Sequence, residues 1–233
     1  MDSAVKMPAA IAREGAIARE RSSFAPFLLY VAAFHVLWIA WPFFLYPRLL
    51  TVGNATFQYA LLNLTFRFLY WIAPVLLYLR YVDGVDPFEY LQLRQNVKRG
   101  IVVALVLTAL NVGGTFARFG SPHLSMERVT WNSVLGTSFF VGVIEEIPYR
   151  GFMLQKFGER MNFWLANLIT SLLFVSIHLP GWIALHTLNA GAAVSIFIFG
   201  LVMSVAFRYA KSLWAPIITH SANDCLSFVI FGL

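Results

Sequence analysis

The sequence predicts an all-α fold, a polytopic transmembrane helical bundle of about seven spans with a cytoplasmic N-terminus. Hydrophobic residues make up 59% of the 233 residues and charged residues only 12%, whereas a soluble domain carries about 25% charged residues. Long stretches such as 24–47 and 161–207 contain no charge at all. Because about 20 apolar residues in a helix cross the hydrocarbon core, these stretches are long enough to span a membrane.

Charge-free stretches and helix breakers divide the chain into seven predicted spans. The run 161–207 is too long for one crossing, and the sequences "LPG" at 179–181 and "LNAGA" at 188–192 mark the place where it turns. The predicted spans are 24–46, 56–79, 100–118, 133–156, 162–184, 190–207 and 212–232.

Lysine and arginine are unevenly distributed between the connectors. With the N-terminus in the cytoplasm, twelve of them fall inside: Lys6, Arg13, Arg19, Arg21, Arg80, Arg94, Lys98, Arg99, Lys156, Arg160, Arg208 and Lys211. Three fall outside, namely Arg48, Arg118 and Arg128. This is the positive-inside pattern of membrane proteins, so we expect the N-terminus inside and the C-terminus outside.

The domain organisation and the location follow from the same composition. Residues 1–23 lack the apolar region of a cleavable signal peptide and are predicted to be a cytoplasmic tail, while 24–233 form a single transmembrane domain. The net charge of +6 lies in short connectors, which argues against a nucleic-acid partner. The single cysteine, Cys225, excludes an internal disulfide. We expect a multi-pass protein of the cell (inner) membrane, or of the endoplasmic reticulum if the source is eukaryotic.

Ionisable side chains inside the predicted spans are few, and most lie in late spans. Such residues are costly in hydrocarbon and are therefore candidates for function. The set comprises Arg67, Glu145, Glu146, Arg150, His178, His220 and Asp224, with His35 as a lone addition. His35 is expected to be a hydrogen-bonded structural residue, and Arg67 an anchor that pairs with a carboxylate or with backbone carbonyls.

The stretch "VIEEIPYRGF" at 143–152 holds two adjacent carboxylates with different surroundings. Glu146 and Arg150 are four residues apart and can pair on one helix face. Glu145 is rotated by about 100° from Glu146, so it is free to face a cavity as a candidate general base. Pro148 cannot donate to the carbonyl of Ile144, and the helix is predicted to kink or open there.

Two further stretches add polar groups near mid-membrane. "FVSIH" ends at His178, and "HSAND" places His220 and Asp224 four residues apart on one face, with Asn223 close to that face. We therefore expect the polar groups of three helices to meet in one wet pocket.

In this order and spacing the motifs resemble those of the CPBP family, the CAAX proteases and bacteriocin-processing enzymes also called the Abi family. "EEIPYR" matches its EExxxR motif, "FVSIH" its FxxxH motif and "HSAND" its HxxxB motif, where B is Asn or Asp. The resemblance covers about residues 130–233, which we take as the protease-like core.

The resemblance implies a glutamate-type intramembrane endopeptidase. Glu145 with His178 would activate the attacking water, and His220 with Asp224 would stabilise the oxyanion and orient the site. Glu146 and Arg150 would support these residues. The prenyl-protease relatives commonly have Asn where this chain has Asp224, so Asn223 could donate to the oxyanion instead.

No cofactor is expected, although a zinc enzyme with Glu145, His178 and His220 as ligands is a second possibility. Against zinc, the HExxH motif is absent. The expected partners are the lipid bilayer and a substrate that is a membrane-associated, lipidated or prenylated CAAX-type protein or peptide.

Two other function classes are compatible with buried charge. Glu, His and Arg within spans also build transporters and proton relays, although here they crowd into the last hundred residues. A membrane scaffold or immunity factor could keep the fold without catalysis.

Overall fold

The computed structural model describes residues 24–45, 56–120 and 129–227, and every regular element in these ranges is helical. We number nine helices through the described chain and write 141–158 as one helix, α5, because its three consecutive segments adjoin. The helices are α1 (Ala25–Ala40, continued by the π-helical Trp41–Leu45), α2 (Phe57–Val82), α3 (Pro87–Tyr90), α4 (Val97–Phe119), α5 (141–158), α6 (Phe163–Ser176), α7 (Leu179–Ala184), α8 (Ala190–Ala210) and α9 (Trp214–Asp224). A π-helical segment, Ser133–Phe139, precedes α5 and is left unnumbered.

Five helical stretches are long and apolar enough to cross a membrane, so the protein is an integral membrane protein. They are Ala25–Phe44, Phe57–Val82, Val97–Phe119, Phe163–Ala184 and Ala190–Ala210, and they match five of the seven predicted spans. The other two, 133–156 and 212–232, are not among them. The total of seven and the orientation therefore stay predictions, as does the cytoplasmic tail at 1–23, which lies outside the described residues together with 228–233.

Several helices contain π-helical turns, and prolines lie in or beside three of them. Pro42 lies in the π-helical end of α1, Trp41–Leu45, and Pro148 lies in the π-helical Ile147–Met153 of α5. Pro74 follows the π-helical Phe68–Ile72 of α2. Proline has no N–H to donate to the carbonyl four residues back, and a local change of helical pitch lets the remaining groups find partners within the membrane. The predicted opening beside Pro148 takes this form.

Helix α5 is the central element of the bundle. Its residues from Ile144 to Leu154 are all buried, whereas α4 buries only Gly100 and Ala104. An aromatic cluster joins α5 to α1 and α2, with Phe152 edge-to-face on Phe27. The outward faces carry apolar side chains such as Leu110, 67% exposed, as expected for surfaces that contact lipid.

The contact between α5 and α9 depends on a glycine. The Ser221 hydroxyl donates to the Phe139 carbonyl at 2.9 Å and accepts from the backbone N–H of Gly142 at 3.3 Å. A methyl group on Gly142 would collide with the Ile217 carbonyl and reach the Ser221 hydroxyl at 2.7 Å. Only glycine lets α9 approach α5 this closely.

We predict that Gly142→Ala destabilises the protein by about 1–3 kcal/mol, since overpacking a close backbone contact forces the helices apart. Thermal unfolding in detergent measures the effect. The matched control is Gly114→Ala on α4, where an added methyl group meets nothing within 4 Å. Equal melting temperatures for the two variants would contradict this description of the α5–α9 contact.

Candidate active site

Glu146 and Arg150 form the buried pair that their spacing predicts. Arg150 Nη1 donates to Glu146 Oε1 at 2.9 Å, and both side chains have 0% exposure. Arg150 Nη2 also donates to the Gly200 carbonyl at 3.2 Å, and its guanidinium lies 4.3 Å from the centre of the Phe174 ring. The arginine thus joins α5 to α6 and α8.

The same carboxylate also holds His220, a contact that spacing along one helix could not reveal. His220 Nδ1 lies 2.6 Å from Glu146 Oε1. Because a carboxylate oxygen accepts, Nδ1 carries the proton in this bond. The rings of Phe174 and Phe199 pack on His220, with centroids 5.9 and 4.9 Å away. Glu146 is therefore the common partner of Arg150 and His220.

Glu145 faces the other way, into a cavity of ≈ 340 Å³. Its side chain is nearly buried, and its Oε2 lies 3.9 Å from His220 Nε2. His178 and Asp224 line the same cavity. The predicted difference in environment between the two adjacent glutamates is thus present, and three of the four predicted catalytic side chains share one space.

His178 lies at the break between α6 and α7. Its Nδ1 donates to the Phe174 carbonyl at 2.9 Å, so in the neutral ring Nε2 is the nitrogen that can accept a proton. The rings of Phe174 and Trp182 pack against it, with centroids 5.3 and 5.6 Å away. Trp38 Nε1 of α1 donates to the Ile177 carbonyl at 2.8 Å and fixes the backbone just before the histidine.

Asp224 and Asn223 are tied to a residue that the sequence analysis did not single out. Asn111 Nδ2 of α4 donates to Asn223 Oδ1 at 2.6 Å, and Asn223 Nδ2 donates to Asp224 Oδ1 at 3.1 Å. Asp224 Oδ1 lies 3.9 Å from His220 Nε2. One N–H of the Asn223 amide thus positions Asp224, and a side-chain amide has a second N–H to donate. The one feature of the sequence that could have indicated Asn111 is that its polar amide lies inside a predicted span.

Residues before position 130 also line the cavity. Arg67, Trp71, Trp38 and Pro42 contribute from α1 and α2. Arg67 donates to the Gly136 carbonyl at 3.3 Å, as expected for an anchor on the backbone. It is the one positively charged side chain among the described residues that line the cavity, opposite the two carboxylates.

His35 has the structural surroundings expected of it. Its Nδ1 donates to the Val31 carbonyl at 2.7 Å, and its Nε2 lies 3.0 Å from the Tyr149 hydroxyl. It therefore links α1 to α5 and is not among the residues that line the cavity.

Among the described residues, no group of three or more His, Cys, Asp or Glu side chains has the arrangement of a metal site. The candidate zinc ligands Glu145, His178 and His220 are therefore not gathered as a ligand set. The choice between glutamate and zinc chemistry stays a prediction.

Comparison with known proteins gives one family match. The family model described as "Type II CAAX prenyl endopeptidase Rce1-like" matches residues 127–226, which confirms over these residues the predicted resemblance to CAAX proteases. An "Uncharacterized 24.3 kDa protein" from Escherichia coli is 36% identical over 90 residues. That stretch is 38% of this chain and 38% of the relative, so the match spans well under half of either protein. No solved structure is significantly similar to this chain.

We predict that the two adjacent glutamates respond differently to the same isosteric change. Glu146→Gln leaves Arg150 buried without its counter-charge, which costs about 3–5 kcal/mol, and so lowers the melting temperature and the folded yield. Glu145 lies at the cavity wall, so Glu145→Gln leaves the melting temperature and the folded yield close to those of the wild type. Thermal unfolding of the purified variants provides the comparison, and indistinguishable stabilities would refute the assignment of Glu146 to the buried network.

Proposed function

We propose that the protein is an intramembrane endopeptidase that hydrolyses a peptide bond of a membrane-associated protein or peptide, with a water activated by Glu145 and His178. The observation that carries the proposal is the cavity inside a membrane bundle in which Glu145, His178 and Asp224 meet. These residues lie within the segment that matches the CAAX endopeptidase family. Prenylated CAAX-type ends are the substrates that the family description names, and other lipidated peptides are included in the proposal.

The first step is activation of water. In the proposed reaction a water lies between the Glu145 carboxylate and His178 Nε2, and His178 orients it by accepting a hydrogen bond. Glu145 takes one proton as the hydroxide adds to the carbonyl carbon of the peptide bond. The hydrogen bond from His178 Nδ1 to the Phe174 carbonyl supports this role because it leaves Nε2 as the acceptor.

The second step is stabilisation of the oxyanion and release of the amine. His220, with protons on both nitrogens, donates one to Glu146 and offers the other at Nε2 to the oxyanion. The carboxylates of Glu145 and Asp224, each 3.9 Å from Nε2, balance the charge of the ring. Glu145 then returns its proton to the amide nitrogen, the C–N bond breaks, and the products are an amine and a carboxylic acid, whose proton passes to the amine to give an ammonium group and a carboxylate.

The supporting residues set this geometry before substrate arrives. Glu146 and Arg150 hold His220 in one orientation, and Asn111 acts through Asn223 on Asp224. Preorganised donors of this kind stabilise developing charge without reorganisation during the reaction. We place the activity in the cell membrane, or in the endoplasmic reticulum if the source is eukaryotic.

Replacing Glu145 by Gln is expected to lower proteolysis by at least about 100-fold, the usual contribution of a general base, while the protein remains folded. Comparing the N- and C-termini of membrane proteins between wild-type and Glu145→Gln cells identifies the products. His186→Asn is the control, since His186 lies outside the proposed machinery and its positive φ of 55° is one that asparagine tolerates. Unchanged termini in the Glu145→Gln cells would refute the protease, and loss of solute or proton flux instead would favour a carrier.

Chelators separate the two chemistries. For a glutamate-type enzyme, dialysis against EDTA or 1,10-phenanthroline leaves the rate unchanged, and the purified protein carries no stoichiometric zinc. Elemental analysis and the rate before and after dialysis measure this. If chelation abolishes activity and added zinc restores it, the glutamate mechanism is wrong. The attacking water would then be activated by zinc.

A further inference from the structure

One end of the bundle, which we call the basic end, gathers the connectors after α2, α5 and α8. The backbone N–H of Leu213 donates to the Gln92 carbonyl at 3.2 Å, and Trp214 Nε1 donates to the Leu93 carbonyl at 2.8 Å. Gln155 Nε2 of α5 donates to the Tyr90 carbonyl at 2.8 Å. Helix α1 begins at this end as well, since the ring of Phe24 lies 6.0 Å from that of Phe157.

The opposite end is formed by the end of α1, the start of α2, residues 129–133 and the end of α7. Asn63 Nδ2 donates to Asn132 Oδ1 at 2.9 Å, and the rings of Phe57 and Trp131 lie 5.2 Å apart. We call this the open end, because the cavity that holds Glu145 extends toward it.

The direction of the cavity follows from the residues that each helix contributes. On α1 the lining runs from Trp38 to Pro42, on α2 from Trp71 to Arg67, and on α5 from Glu145 to Val141. In each pair the second residue is one turn nearer the open end. Along α7 the lining continues to Leu185, which directly follows that helix and is 64% exposed.

Toward the basic end the cavity is closed by buried side chains. Tyr149 and Arg150 of α5, Phe174 of α6 and Val75 of α2 lie on the basic-end side of the lining residues, and all have 2% exposure or less. Among the described residues, the lining of the cavity therefore leads from Glu145 toward the open end, while buried side chains close it toward the basic end.

The two ends differ sharply in charge. Among the described residues the basic end carries eight lysines and arginines: Arg80, Arg94, Lys98, Arg99, Lys156, Arg160, Arg208 and Lys211. At the open end the described residues hold Arg118, at the end of α4. The positive-inside rule assigns the basic end to the cytoplasm.

We propose that substrates reach Glu145 from the non-cytoplasmic side of the membrane. This inference rests on the proposed protease function and narrows its substrate class to exported peptides and to the extracytoplasmic ends or loops of membrane proteins. A prenylated C-terminus anchored in the cytoplasmic leaflet would lie at the basic end, away from the side toward which the cavity extends, so the inference departs from the prenylated ends that the family description names.

Cysteine labelling tests the inference without any substrate. In the full chain with Cys225 replaced by Ala, Leu185→Cys reports on the cavity mouth and Gln95→Cys on the basic end; neither change alters the count of lysines and arginines. Intact cells are treated with a membrane-impermeant maleimide before and after permeabilisation. We expect Leu185→Cys to be labelled in intact cells and Gln95→Cys only after permeabilisation. The reverse pattern, or labelling of both from outside, overturns the proposal.

The outcome is independent of whether the protein cleaves anything. Labelling of Leu185→Cys from outside together with unchanged termini in Glu145→Gln cells would refute the protease and leave the orientation standing. Changed termini that map to cytoplasmic segments would support the protease and refute access from outside. Changed termini on extracytoplasmic segments support both.

Discussion

The Glu146 carboxylate, shared by Arg150 and His220, is the interaction on which the remaining site depends. Removing three ionisable groups from water costs several kcal/mol for each charge, and close pairing with well-placed hydrogen bonds offsets that cost. The arginine reaches the Gly200 carbonyl and the Phe174 ring, so α6, α8 and α9 are all fixed relative to α5. Loss of Glu146 would leave the buried Arg150 without its counter-charge, whereas loss of His220 would leave the Glu146–Arg150 pair in place.

Local departures from α-helical geometry create room beside this network. The π-helical turns that begin at Ile147 follow Glu146 directly, and the break between α6 and α7 places His178 where a regular helix would have continued. Each irregularity leaves backbone N–H or C=O groups without their partner in the helix. Lipid cannot form hydrogen bonds with these groups, so other protein groups do so. Trp38 does this at the Ile177 carbonyl. The cavity is thus formed by backbone irregularities that neighbouring helices stabilise.

Sequence spacing predicted what lies along one helix better than what lies between helices. The four-residue interval predicted that Glu146 and Arg150 pair. The rotation of the helix between adjacent residues predicted that Glu145 faces away from this pair. Hydropathy located five spans within a few residues. The contact from Glu146 to His220, and the chain from Asn111 to Asp224, depend on how α4, α5 and α9 rotate against each other. Packing decides that rotation, through contacts such as the one at Gly142, and no periodicity in a single helix encodes it.

Arg67 and the two tryptophans, Trp38 and Trp71, stand on the cavity wall but precede the segment that matches the family, residues 127–226. The proposed catalytic residues and this part of the cavity wall therefore come from different parts of the sequence. Substitutions in the first two helices can change the shape of the wall while the proposed catalytic residues stay the same. Proteins that share the matched segment can consequently diverge in the peptides that they select, and similarity confined to that segment is a guide to reaction type more than to substrate.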